Sequence, residues 1–599
     1  MKLSTEVKKL GDFTTTVRVM PISGMAMVIG LIGAFVALAL LRLIGFFTNL
    51  FYYQRLGSNL VSPAGNHLGW WAVLVPVAGG LIIGLMARYG SERIRGHGIP
   101  EAIESILING SKVHPKLAIL KPLSAALSIG TGGPFGAEGP IIMTGGAFGS
   151  MIAQFFHLTG AERKTLLVAG ATAGMSATFA APLSAILLAV ELLLFEWKPR
   201  SLIPVALASA TAGAARRYLI GLGPLFPTPA HPVFIGPASL IGCVICGLLA
   251  GALSALLTGA VYAAEDAFAK LPIHWMWWPA IGGLVIGLGG MIFPQALGVG
   301  YDTIGTLLQG NGAIGLLLGI LLVKSTIWAV SLGSGTSGGV LAPLLMMGGA
   351  LGGLEALFLP AAGAGFWPLV SMGAILGGTM RSPFTGIVFA IELTHDVNMV
   401  LPLLVAAIIA HTFTVLVLKR SILTEKVARR GFHLSREYSV DPLEVLFVRE
   451  VMRTRVIAFE GNGTLEDARR MLKNGHPSRG QHLYPMIDAD RRLSGVITRK
   501  NLAESSNDLA LMSDIARRNS VVAIADESLR TVVYRMAETG FTRMPVVDSG
   551  EERRLVGMIS LEDLLHARAR NLSEERSRER VLRIRLPFRG AGKIAPIEE

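Results

Sequence analysis

The chain is poor in charge and nearly without cysteine. Only 16% of its 599 residues are Asp, Glu, Lys or Arg, and the two cysteines are Cys243 and Cys246. A single CxxC inside an apolar run, with no second ligand pair, argues against a disulfide scaffold or a zinc site and for helix packing. Nothing in the sequence resembles a nucleophile–base pair, a metal cluster or a phosphate loop, so neither an enzyme nor a required cofactor is expected. With so little charge and a mean hydropathy of +0.55, the chain is not an ordinary soluble protein. Much of the basic character behind the net charge of +13 sits after residue 418, and the sequence gives no nucleic-acid motif to go with it.

Hydrocarbon and glycine fill the space that charge leaves. Hydrophobic residues make up 51% of the chain and glycine contributes 71 positions. Uncharged runs long enough to cross a bilayer extend over Ile22–Leu41, Gly69–Ala87, Ile235–Ala263 and Met276–Gly300. The first follows a short basic lead-in with no small-residue cleavage site, so it reads as a retained helix rather than a signal peptide. The expected fold class is a polytopic α-helical membrane protein with a soluble α/β region behind it. Lipid is therefore a partner, and the basic C-terminal part faces the cytoplasm of a cell (inner) membrane under the positive-inside tendency.

One glycine-rich stretch stands apart. Gly130–Gly149 reads GTGGPFGAEGPIIMTGGAFG and carries a single carboxylate, Glu138. Glycines present bare backbone N–H groups, and Pro140 suits the first turn of a helix starting beside the carboxylate. A helix N-terminus with free N–H donors attracts anions, and an intramembrane carboxylate is a functional candidate by default. Gly96-His97-Gly98-Ile99-Pro100 opens a second short helix, with Glu101 and Glu104 in its first turns.

The chain repeats itself. Pro140 opens PIIMTGGAFGS and Pro343 opens PLLMMGGALGG; Pro182 opens PLSAILLAVEL and Pro383 opens PFTGIVFAIEL. Glu191 and Glu392 each follow their proline by nine positions (191 − 182 and 392 − 383), which favours a shared cap-like role. This is a duplicated module, expected with inverted topology and with its ligand site at the interface of the repeats. Gly130–Pro140 and Ser334–Pro343 are the expected facing pair. Lys324, inside an apolar run, is expected to have a structural role, snorkelling to an interface or pairing with a carboxylate. Past Arg430 the composition changes to soluble α/β, and YPMID…LSGVITRKNL recurs as RMPVVD…LVGMISLEDLL. The predicted layout is a cytoplasmic N-terminal segment (1–20), membrane half 1 (21–218), a Pro-rich connector (219–237) and membrane half 2 (238–420). A linker (421–444), two α/β modules (445–506 and 507–567) and a basic tail (568–599) complete it.

GHGIP (96–100), GAEGP (136–140) and GVLAP (339–343), in this order within a duplicated frame, resemble the anion-pathway signatures of the CLC family of chloride channels and chloride/proton exchangers. The two C-terminal modules resemble a tandem CBS pair. The resemblance implies a homodimer with one anion path per subunit, chloride as substrate and protons as a possible second one. It assigns gating to Glu138, whose carboxylate competes with the anion and leaves on protonation. It assigns anion binding to His97, Gly98, Ile99, Gly136, Ala137, Gly139, Val340, Leu341 and Leu423. It also implies an adenine nucleotide at the CBS pair, held by His482, Thr498, Asn501, Ser560 and Asp563, with Asp563 better suited than Asn501 to accept both ribose hydroxyls.

Several residues depart from the family pattern. His97 stands where many members have serine, Ala137 where a basic residue is common, and Leu341 in place of an aromatic residue. Leu423 replaces an inner tyrosine, and Leu192 replaces the proton-side glutamate of many exchangers. These changes leave channel and exchanger open, and keep a fluoride/proton exporter as an alternative. A CBS-regulated divalent-cation transporter would need convergent carboxylates, and a membrane-anchored nucleotide sensor would not need broken helices.

Overall fold

The computed structural model describes residues 13, 15–432, 441–473, 481–505, 508–518, 520–550 and 552–576. Most of the N-terminal segment and most of the basic tail expected from the sequence lie outside them. The described residues form two compact units, one before and one after residues 433–440, and each is described by itself.

The first unit is helical throughout. Six stretches are long and apolar enough to cross a membrane: Val19–Tyr53, Gly69–Tyr89, Pro237–Ala269, Trp275–Ile292, Ile314–Gly333 and Val397–Arg429. Large apolar side chains such as Leu31, Phe35, Ile241, Leu256 and Leu288 point outward, as lipid-facing residues do. The run Met276–Gly300 is not one crossing. Its helix stops at Ile292, and Pro294 with the positive-φ residues Gly298 and Gly300 turns the remainder into a loop.

The first half contains α1 (Val19–Tyr53), α2 (Leu74–Tyr89), α3 (Ile99–Leu107), α4 (Pro115–Gly130), α5 (Glu138–Gln154), α6 (Gly160–Phe179), α7 (Pro182–Leu188) and α8 (Pro199–Leu219). The second contains α9 (Pro237–Ala269), α10 (Trp278–Ile292), α11 (Tyr301–Leu308), α12 (Ile314–Gly319), α13 (Ser325–Gly333), α14 (Leu341–Glu355), α15 (Phe366–Met380), α16 (Pro383–Thr394) and α17 (Val400–Val417). A last short helix, α18 (Ile422–Arg429), lies in the stretch read as a linker, belongs to this unit and packs on α3.

Reciprocal contacts relate the halves by a two-fold. A methyl on Gly80 of α2 would lie 2.3 Å from Pro279 O of α10, and one on Gly283 of α10 would lie 2.3 Å from Pro76 O of α2. One turn further on, Gly84 abuts Met276 O while Gly287 abuts Val73 O. Contact positions fall in one helix as they rise in the other, so equivalent helices run antiparallel. That is the inverted repeat expected from the duplicated motifs. The close approach depends on glycine, since any side chain there would meet backbone.

The duplicated glutamates follow the same symmetry. Glu191 accepts from Thr385 N (2.8 Å) and Thr385 Oγ1 (2.6 Å) at the start of α16. Glu392 accepts from Leu183 N (2.9 Å) and Ser184 N (2.8 Å) at the start of α7. Each carboxylate caps the helix of the opposite half, where unsatisfied N–H groups and the helix dipole favour negative charge. Glu392→Ala is expected to cost about 2 kcal/mol, the range for a cap made by a charged acceptor. A thermal unfolding curve in detergent that overlays wild type would contradict this role.

The second unit holds two three-stranded sheets. β1 (Phe459–Glu460) pairs parallel with β2 (Leu483–Ile487), which pairs antiparallel with β3 (Leu493–Thr498). β4 (Ala523–Ile524), β5 (Arg543–Val547) and β6 (Leu555–Ser560) repeat the arrangement. Helices Leu465–Lys473 and Leu529–Thr539 fill equivalent places between the first and second strands. The two hairpin turns join through Leu493 N to Arg553 O (3.1 Å) and Leu555 N to Arg491 O (3.0 Å), a second reciprocal pairing.

Candidate anion site

Three glycine-rich turns meet where α3, α5 and α14 begin. Gly136 N donates to Gly339 O (3.1 Å) and Gly339 N donates back to Gly136 O (2.8 Å), joining the first-half and second-half motifs. Gly96 N donates to Thr336 O (3.1 Å), which brings in the third turn. The packing leaves no room for side chains: a methyl on Gly139 would lie 1.7 Å from His97 O, and one on Gly98 would lie 2.6 Å from Gly139 O. The predicted facing pair of glycine-rich segments is therefore in direct contact.

Glu138 is the first residue of α5 and is fully buried. Its Oε1 accepts from Ala342 N (2.9 Å), in the first turn of α14, and its Oε2 has no hydrogen-bond partner among the described residues. Gly136 and Gly339 both abut Oε2, so the carboxylate fills the space between the two motifs. A monoanion on a short tether thus sits against a helix N-terminus of the opposite half. Among the described residues no ion pair reaches it.

Two lysines hold the turns in shape. Lys121 Nζ donates to Ile94 O and Gly96 O (both 2.8 Å), and Lys324 Nζ donates to Ala296 O and Gly298 O (both 3.1 Å). Both are fully buried. Lys324 therefore neither snorkels nor pairs with a carboxylate among the described residues. It tethers a loop, as Lys121 does in the other half, because two carbonyls facing inward offer an ammonium its hydrogen bonds. The two lysines are equivalent: each precedes the first residue of its motif helix, Glu138 or Leu341, by 17 positions (138 − 121 and 341 − 324). By the same symmetry, Gly298-Val299-Gly300-Tyr301 is the second-half counterpart of Gly96-His97-Gly98-Ile99. The two Gly-x-Gly turns were the available signal for that match.

The remaining predicted residues divide into groups. Gly98, Ile99, Gly136, Ala137, Gly139, Val340 and Leu341 line the three junctions and are buried. Gly98 N is already taken by Glu101 Oε2 (2.9 Å). His97 is 2% exposed and its Nδ1 has no partner among the described residues. Leu423 is buried on α18 and brings no polar atom. Leu192 is buried in the π-helical turn Ala189–Leu194. Cys246 donates to Glu355 (2.8 Å), a buried carboxylate the sequence reading passed over.

In the second unit, the nucleotide candidates His482, Thr498 and Asn501 belong to one module, and Ser560 and Asp563 to the other. Asp563 Oδ2 accepts from Ser560 N (2.9 Å) and Ser560 Oγ (2.6 Å), and Oδ1 accepts from Arg453 Nε (2.7 Å). That contact holds the Arg453 guanidinium charge above its ordinary pKa, the Asp563 bond first and the Glu562 bond after it. In the first module Asn501 N donates to Thr498 Oγ1 (3.2 Å), and the Thr498 hydroxyl donates to the Asn501 side chain. His482 contributes its carbonyl to Arg499 N (2.9 Å).

Antiparallel repeats, broken helices and a buried carboxylate at their junction define a multi-pass membrane protein of the transporter and channel class. The family model described as voltage gated chloride channel matches residues 79–415, and the CBS domain model matches 448–508 and 512–570. The chain belongs to that chloride channel family and carries two CBS domains. A putative chloride channel protein ClcB-like from Ralstonia nicotianae is 30% identical over 395 residues, 64% of this chain and 92% of that protein. The H(+)/Cl(-) exchange transporter ClcA of Klebsiella pneumoniae is 30% identical over 416 residues, 64% of this chain and 83% of that protein. Among solved structures, a slow cyanobacterial Cl-/H+ antiporter superposes with TM-score 0.61 at 22% identity, covering 70% of this chain and 99% of its own. A eukaryotic CLC transporter gives TM-score 0.57 at 18% identity, covering 91% and 98%. These two likenesses concern the fold.

Proposed function

We propose that the chain exchanges a small monovalent anion, chloride first, for protons across a cell inner membrane, with Glu138 as gate and proton carrier. The observation that carries this reading is the seating of the Glu138 carboxylate on Ala342 N with its second oxygen unpartnered. An anion fits the same N–H group, so carboxylate and substrate compete for it. Protonation removes the charge, ends the competition and frees the place for an anion. Ionised and unpaired by any cation, the buried carboxylate is costly to keep charged, which favours proton uptake when it leaves the amide. Val340, Leu341 and Gly136–Gly139 supply backbone and shape, and His97 supplies the one polar side chain on the third turn. Names of relatives that are exchange transporters support the coupling to protons.

On this reading the protein is a homodimer with one path per subunit, and its CBS pair lies in the cytoplasm. Liposome flux with chloride, nitrate and fluoride, recorded together with external pH, tests the function. Chloride flux with opposing proton movement is expected; fluoride flux without chloride flux would instead mean a fluoride exporter. No anion flux would end the reading.

The CBS pair binds an adenine nucleotide with Asp563 as the ribose acceptor, in exchange for its contact with Arg453. Calorimetry on the full chain with ATP, ADP and AMP is expected to show binding that Asp563→Ala weakens at least about tenfold, the loss of one to two charge-assisted hydrogen bonds. Asn501→Ala is expected to change it little. Absence of heat with all three nucleotides would leave the pair without this ligand.

A further inference from the structure

Beneath the His97 turn lies a group of charges that the gate does not use. Lys426, on α18, packs its ammonium against Gly96: a methyl on that glycine would lie 2.2 Å from Lys426 Nζ. Glu101 Oε1 lies 3.7 Å from Lys426 Nζ and 3.0 Å from Arg430 Nη2. Arg430 also pairs with Glu104. On the other side of Gly96, Lys121 holds that residue's carbonyl. Three cations, Lys121, Lys426 and Arg430, thus stand around two carboxylates, Glu101 and Glu104. One positive charge is left over in a place where Glu101 is 2% and Lys426 16% exposed.

Two further observations point to a ligand. His97, 2% exposed, has an Nδ1 without a partner among the described residues, and Lys426, Glu101, Lys121 and Arg430 are the charges within its electrostatic reach. Outside this group opens a cavity of about 490 Å³ whose lining includes Arg93, Arg95, Lys426, Arg429 and Arg430 against Glu92, Glu104 and Glu265. The Arg95 guanidinium lies over the rings of Trp275 (4.5 Å) and Trp278 (5.6 Å), and its Nε is unpartnered among the described residues. The lining cations stand with carboxylate partners, Arg429 with Asp266 and Glu425, Arg95 with Glu92 and Arg430 with Glu104, so the wall offers a small anion donor groups rather than a net positive field.

We infer that Lys426 is a specificity-determining residue of the anion path, receiving the anion from this cavity and passing it to the His97 turn. Glu101 is its built-in competitor. With no anion present, the Glu101 carboxylate holds the ammonium at 3.7 Å, the longer of its two cation contacts beside Arg430 at 3.0 Å, and so the one an anion replaces. With an anion present, Lys426 contributes a compact, strongly hydrated charge that favours small hard anions over larger ones. Arg430 and Gly98 N keep Glu101 in place meanwhile.

This inference rests on the anion-transport reading, and the test separates the two. Anion flux is measured in liposomes, at fixed pH, against anion concentration on the side that α18 faces. Lys426→Gln is expected to raise the half-saturating chloride concentration about tenfold with a smaller change in maximal rate, and Lys426→Arg to restore most of it. Glu101→Gln, which keeps an acceptor for Gly98 N but removes the competing charge, is expected to lower half-saturation at least threefold. Opposite shifts from the two variants are what a purely structural tie between α18 and α3 would not produce. If both variants shift half-saturation the same way, or neither does while wild type transports, the role of Lys426 is wrong and the transport reading stands. If Lys426→Gln fails to fold, Glu101→Gln decides alone. Wild type without anion flux would sink the transport reading itself.

Discussion

Replacing Glu138 by alanine or glutamine is expected to reduce proton flux at least about 100-fold, to the liposome leak, while anion flux continues. The size follows from removing the carboxyl that sits between the two facing motifs without a cation partner among the described residues, a proton-carrying role whose loss costs two or more orders of magnitude. The carboxylate occupies the place it guards, on Ala342 N, so deleting it opens that place permanently. Anion flux in the variants should therefore lose its dependence on pH. In wild type it should rise as pH falls, because a protonated Glu138 no longer competes with the anion. Glutamine is the more informative substitution. It preserves volume and an acceptor oxygen but cannot ionise, so retained pH dependence in Glu138→Gln would assign the titration to another group.

Gly139→Ala is expected to be the most damaging single methyl in the chain. The added carbon would lie 1.7 Å from His97 O, against an ordinary carbon–oxygen contact of about 3.3 Å. Both atoms are fixed by backbone: Gly139 is in the first turn of α5, and the carbonyl belongs to a turn whose neighbour Gly96 is held by Lys121 and by Thr336 O. The turns must separate by more than an ångström, which takes the Glu138 carboxylate off Ala342 N. A displacement of that size costs a positioned site about 100-fold in rate. Flux near wild type with the chain intact by size-exclusion chromatography would mean that the three turns do not form one site.

The sequence was most legible where chemistry and spacing repeat. Pro140 with Pro343 and Glu191 with Glu392 revealed a duplication, and the reciprocal capping of α16 and α7 follows from it. The glycine turns were legible because few other residues allow backbones to come so close. The structural role of Lys324 was legible but its partners were not, because an isolated lysine in an apolar run shows neither the carbonyls it can reach nor its counterpart in the other half. Lys121 was missed for the same reason: two lysines about two hundred positions apart become a pair only once the repeat is aligned through Gly96 and Gly298. The Lys426–Glu101 contact joins residues from opposite ends of the membrane unit, and no periodicity in either segment announces it. The run Met276–Gly300 looked continuous because its residues are apolar by composition, although the helix ends at Ile292 ahead of Pro294 and the positive-φ residues Gly298 and Gly300 shape the loop that follows.

The central claim is that one buried carboxylate couples an anion to a proton. The most direct measurement is made on liposomes holding the full chain, with a chloride gradient imposed and no proton gradient. The account predicts that chloride moving down its gradient drives protons the opposite way, uphill, and that Glu138→Ala abolishes this movement while chloride still flows. Chloride flux with no uphill proton movement in wild type, or uphill movement that persists in Glu138→Ala, would contradict it.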